Sequence, residues 1–124
     1  MFAITVHTSF SAGHQLKFPA GPEPYHIHDW QVDTVLAGEN LDRNGLLFDF
    51  NEIKKILDDI VASFNDRTLE DLDCFKNINT SAENVAKYIF TSIKNELPAN
   101  ITLVSVEVTE APGCKAKYSE KLSF

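Results

Sequence analysis

Cysteine is scarce in this sequence. Cys74 and Cys114 lie far apart and in no CxxC pattern, which excludes a disulfide framework and a cysteine zinc site and leaves two reduced thiols. Missing too is any apolar run approaching the roughly 18 to 20 residues a membrane helix needs. The opening MFAITVHTSF has neither the basic head nor the small-residue cleavage site of a secretory leader. A cytoplasmic protein without membrane contact is therefore expected. Positive charge is in deficit, with 11 basic against 18 acidic side chains and a formal charge of -7. Such a balance repels a phosphate backbone, so nucleic acid is not an expected partner. Internal repeats, low-complexity tracts and linkers are absent as well. What remains, 124 residues of which 44% are hydrophobic and 23% charged, is the profile of one domain over residues 1–124 with its own core.

Two periodicities organise the chain. Phe2, Ile4, Val6, Thr8, Phe10 and Ala12 recur at every second place, the mark of a half-buried strand, and His14 continues that parity. A loop from Gln15 to Tyr25, broken by Pro19, Gly21, Pro22 and Pro24, leads into HIHDWQVDTVLAGE, where His26, His28, Trp30, Val32, Thr34 and Leu36 share a face. The period then turns helical from Asp49 to Phe64, with Phe50, Ile53, Ile56, Leu57, Ile60, Val61 and Phe64 in one apolar stripe. After a polar connection, Asn65 to Asn79, a second helix is predicted from Thr80, with Thr80 and Glu83 as a capping box. It should bury Val85, Tyr88, Ile89, Ile93 and Leu97 before Pro98 stops it. Alternation returns in ITLVSVEVTE, residues 101–110, and KAKYSEKLSF can form a last strand after the Pro112-Gly113 turn. The order ββααββ predicts an α+β domain, an antiparallel sheet with two helices on one face.

Three of the four histidines fall where the first two strands should meet. His26 and His28 project to one side of their strand, and antiparallel pairing brings His14 opposite them. Three neutral imidazoles leave zinc its double charge and one open position, the arrangement of a catalytic site rather than a structural one. A His-x-His pair alone is more often plain polar surface; His14 at matching parity is what turns the reading toward a metal. His7, of opposite parity, has no such company.

The elements FSAGHQL, HIH, GLLFDFNEIKKIL, TSAENVAKYIF and VEVTE, taken in order, resemble the 6-pyruvoyl-tetrahydropterin synthase and 6-carboxytetrahydropterin synthase family over nearly the whole chain. Members carry Phe-x-Ala-x-His, His-Gly-His, Gly-x-x-x-Asp-Phe and a late glutamate, matched here by Phe10 to His14, His26 to His28, Gly45 to Phe50, and Glu110. The resemblance implies a T-fold whose subunits join their sheets into a trimeric barrel, with two trimers stacked as a hexamer. It implies zinc on His14, His26 and His28, and Glu110 holding the pterin ring through its amino and ring N–H edge.

The departures are specific. The family cysteine, four residues before the first histidine of the pair, is Pro22. The Asp-His and Leu-Asn elements after the first helix align with Asp66-Arg67 and Leu69-Glu70, and the central glycine of His-Gly-His is Ile27. One reading keeps catalysis: Glu23 in Glu-Pro-Tyr-His-Ile-His resembles a branch where glutamate replaces cysteine and the side chain of dihydroneopterin triphosphate is cleaved to a 6-hydroxymethyl pterin, with Asp66 assisting. A second reading is a zinc and pterin- or purine-binding homologue without the usual synthase activity, and a third is a purine-related reaction on the same fold. Commonplace roles stand beside these assignments. Glu23 is also a loop charge between prolines, Asp66 a turn residue, and Cys114 an incidental thiol. Lys17, Arg67, Lys115 and Lys117 are the candidates for a substrate's phosphates.

Overall fold

The computed structural model describes residues 1–121. Strand β1, Phe2–His14, leads through two two-residue strands, β2 (Lys17–Phe18) and β3 (Gly21–Pro22), into β4, His26–Gly38. Helix α1, Phe50–Ala62, follows; then come β5 (Arg67–Thr68), two single 3-10 turns, helix α2 (Ala82–Lys94), β6 (Thr102–Ala111) and β7 (Cys114–Tyr118). The main sheet has the order β5-β1-β4-β6-β7. All its pairs are antiparallel except β5, which runs parallel to β1 beside Ala12 and Gly13. The sheet is the expected antiparallel one, with one short parallel strand added at its edge. Its source is the polar connection after α1, where Asp66 turns at φ 59 and its N–H donates to the Ser11 carbonyl.

Alternation decides which face is covered. Val6, Thr8, Phe10, Ala12 and His14 on β1, with Trp30, Val32, Thr34 and Leu36 on β4, are buried beneath the helices. From the helices come Ile53, Leu57 and Val61, then Val85, Ile89 and Ile93, the i, i+4, i+8 seams that a 3.6-residue period turns to one side. Phe64 and Phe75 close the core under the connection, and Phe64 packs edge-on against Phe10. Burying each such side chain contributes roughly 1.5–3 kcal/mol.

Three element ends differ from the periodicity. Asp49 lies outside α1 as its cap, accepting from the Asn51 N–H. The cap of α2 is Ser81, whose hydroxyl accepts from the Asn84 N–H, so the Thr80 and Glu83 capping box is corrected. Thr80 is fully buried and spends its hydroxyl on Glu70 instead. The last strand begins at Cys114 and ends at Tyr118, short of the span KAKYSEKLSF, whose final residues 122–124 lie outside the described residues. No helix among the described residues is long and apolar enough to cross a membrane.

Candidate metal centre

The register of β1 against β4 pairs His14 with His26 and Ala12 with His28. His14 and His28 are therefore diagonal neighbours on the face that His26 shares, and the three ring centres lie 4.4 to 5.6 Å apart. Trp30, one step deeper on β4, sets its ring edge-on to His14 and His28, and its indole N–H donates to the Ala12 carbonyl. Gly13 is required beside this cluster. A Cβ there would fall 1.8 Å from the hydroxyl of Tyr25, whose ring lies over the strand and whose O–H meets the Thr68 hydroxyl at 2.8 Å.

Glu110, from the end of β6, completes the group. Ligand atoms of His14, His26, His28 and Glu110 all lie within 4.8 Å of one another. Two of the rings have their protons fixed from behind. His14 Nδ1 donates to the Thr80 carbonyl at 2.8 Å, and His26 Nδ1 donates to the Pro24 carbonyl at 2.9 Å. A carbonyl can only accept, so in the neutral rings each Nε2 presents a lone pair. Those two nitrogens face each other at 2.7 Å, and Glu110 Oε1 stands 2.8 Å from His14 Nε2. Three acceptors crowd one point. One proton can join only one pair among them, whereas a divalent cation satisfies all three, so the donor set fits a metal ion. Three imidazoles and a carboxylate suit zinc and would also accept other divalent transition metals. Burial, and after it the neighbouring His26, hold the His28 imidazole below its ordinary value of 6.5, which keeps it neutral and able to ligate.

The remaining candidates fall into different places. Glu23 stands behind His26, its Oε2 3.6 Å from Nδ1 and accepting the Leu16 N–H at 3.0 Å. Asp66 is exposed on the turn before β5 and is not one of the four converging residues. Lys115 and Lys117 lean toward Glu107 at 3.8 Å near one edge of the sheet, Arg67 sits on β5 at the other, and Lys17 lines a groove with Gln15, Glu70 and Asn79. His7 lies on the opposite face, bonded to Asp33 and Gln31.

Two supports of the site went unread in the sequence. Thr80 holds His14 through its carbonyl, a group every residue has, so no side-chain signal marks it. Glu70 accepts both the Thr80 hydroxyl at 2.6 Å and the Gln15 N–H at 2.9 Å, bracing His14 from two sides. Its one visible sign is its place where the family pattern has asparagine. Beside His28 and Glu110 opens a groove of about 520 Å³, bordered also by Ile27, Asp29, Gln31 and Thr109.

Residues 3–121 match the family model of 6-pyruvoyl tetrahydropterin synthase. A dihydroneopterin monophosphate aldolase of Pyrococcus furiosus is 29% identical over 107 residues, 86% of this chain and 88% of that one. A putative 6-carboxy-5,6,7,8-tetrahydropterin synthase of Archaeoglobus fulgidus is 34% identical over the same shares. Among solved structures, the 6-pyruvoyl tetrahydropterin synthase of Caenorhabditis elegans superposes with a TM-score of 0.84 at 24% identity, covering 97% of this chain and 96% of that one.

Proposed function

The chain belongs to the 6-pyruvoyl tetrahydropterin synthase family, and from that premise we propose that it is a zinc-dependent lyase acting on the side chain of dihydroneopterin triphosphate or a related pterin phosphate. The observation that carries this is the meeting of His14, His26, His28 and Glu110, whose ligand atoms all lie within 4.8 Å of one another. The aldolase name of the Pyrococcus relative supports side-chain cleavage over the other family outcomes.

In that reaction the bond between the first and second side-chain carbons breaks. The hydroxyl on the second carbon loses its proton and becomes a carbonyl. The electron pair left on the first carbon is held by the adjacent ring imine until a proton returns there, giving a 6-hydroxymethyl pterin. Glu23 is assigned the proton transfers, because no cysteine occupies the family position and its carboxylate stands 3.6 Å from His26 Nδ1. Glu110 accepts from the amino and ring N–H edge of the pterin, a bidentate match. Zinc, when bound, lowers the pKa of the side-chain hydroxyls. His14, His26 and His28 hold it, and Thr80 and Pro24 orient two of those rings. Asp66 is assigned an auxiliary part, so Asp66→Asn should slow turnover less than Glu23→Gln. The subunits assemble, in this reading, as a trimer or hexamer.

The test is turnover of dihydroneopterin triphosphate and monophosphate by zinc-loaded protein, with products identified by chromatography and mass spectrometry. A 6-hydroxymethyl pterin supports the lyase. A 6-pyruvoyl or 6-carboxy product would mean that the usual chemistry survives without its cysteine. Pro22 and Arg67 at the family cysteine and histidine positions favour one second reading, a zinc and pterin- or purine-binding protein, and bound zinc without product would put it in the lead.

A further inference from the structure

We propose that Glu110 has two stations: in the substrate-free protein its carboxylate is the fourth ligand of the metal, closing the position that a three-histidine site leaves open, and an arriving pterin draws it away. The inference rests on the metal reading above and adds to it a state of the site. Glu110 Oε1 lies 2.8 Å from His14 Nε2, matching the 2.7 Å between His14 and His26, so the carboxylate is grouped with the imidazole nitrogens as a ligand would be. Because His14 donates its Nδ1 proton to Thr80, that contact sets acceptor against acceptor, and a cation bound by both atoms at a shared apex resolves it.

The backbone allows the movement. Thr109 pairs with Lys115 and Ala111 with Cys114, with a shift in register between, so Glu110 sits at a bulge. The pairing of β6 with β4 ends one residue earlier, at Thr109. A bulge re-aims a side chain and loosens the ladder around it. The carboxylate is partly exposed and borders the groove as well as the histidines.

The two roles exclude each other at one moment. A carboxylate that accepts two N–H donors of a pterin edge uses both oxygens in the plane of that edge, and an oxygen bound to the metal is not free for it. Pterin binding therefore frees a coordination position as it engages Glu110, and the resting metal is shielded from water and stray anions until then.

The experiment is visible absorption of cobalt(II)-loaded protein, parent and Glu110→Gln, with and without saturating neopterin, together with zinc affinity by chelator competition. Neopterin should shift the parent's cobalt bands. Glu110→Gln should show altered bands before neopterin is added, lack the parent's shift, and bind zinc more weakly by at least the roughly 10–100-fold that losing a supporting partner costs. Should the amide variant not fold by circular dichroism, Glu110→Asp, one methylene too short to reach, serves with the same expectation. Superimposable cobalt spectra and equal zinc affinity in variant and parent would overturn the two-station role while leaving the three histidines intact. A parent that takes up neither metal would overturn the metal reading itself and this role with it.

Discussion

His14, His26 and His28 do not stand alike in the proposed site. His14 is fully buried and braced by Thr80, so replacing it disturbs the core, whereas His28 is partly exposed and its loss should spare the fold. His28→Ala should remove stoichiometric zinc while leaving the circular dichroism spectrum in place; metal analysis of the purified variant checks this, and full zinc content would sink the assignment. The direction of the His28 shift sets a pH dependence. Its value in the fold lies below the ordinary 6.5, so the unfolded ring takes up a proton first, and stability that rests on the neutral ring is present above 6.5 and lost as pH falls below it. Zinc retention against a fixed chelator should hold above 6.5 and decline on acidification, and a flat response through the acid range would contradict it. Glu70 is the residue whose role is least visible in composition. Glu70→Ala frees Thr80 and Gln15 on both sides of His14 and should weaken zinc binding roughly 10–100-fold, as loss of a supporting partner does. Burial pushes the Cys74 thiol up, against a weaker opposing bond from Tyr88, so maleimide at neutral pH should label exposed Cys114 faster than partly buried Cys74.

At the scale of elements, periodicity located both helices and the long strands, because a period of two or of 3.6 is forced by backbone geometry before any tertiary contact exists. What it misjudged were the ends. Thr80 and Ser81 are adjacent hydroxyls, and either could cap α2 by sequence; burial beside Glu70 took Thr80 out of that role. Ser81→Ala should therefore cost about 1 kcal/mol in urea unfolding, and Thr80→Ser should leave the cap untouched. Phe50, counted in the apolar stripe of α1, is exposed at the first residue of the helix. A period tells which residues share a face, and the core decides how far along that face burial extends. At the far end of the same stripe Phe64 is fully buried between Phe10, Phe75 and Tyr88, so Phe64→Ala should destabilise by roughly 3–5 kcal/mol. The short β5 was illegible: two residues, Arg67 and Thr68, carry no period, and they lie beside β1 where Asn65 and Asp66 both bond the backbone of Ser11.

For the whole molecule, the open edges of the sheet matter most. Among the described residues, β7 ends the sheet on one side, and on the other β5 covers β1 only at Ala12 and Gly13. Strands that end a sheet are places where another copy can pair, which is the physical ground for the proposed ring of subunits. Light scattering or native mass spectrometry should find a trimer or hexamer, and a monomer at micromolar concentration would refute it. Ring closure would also change the phosphate question, since Arg67 and the pair Lys115 and Lys117 lie toward opposite edges of one chain and would approach across a junction between two. By itself the sequence determined the α+β order, the helical and strand faces, and the three histidines on one parity, since each follows from local spacing and strand pairing. Tertiary structure alone decided that Glu110 joins those histidines, that Glu23 stands behind His26, and that the Thr80 and Pro24 carbonyls orient the rings. These depend on register between distant strands, a bulge in β6 and the direction of backbone carbonyls, and no residue type announces any of the three.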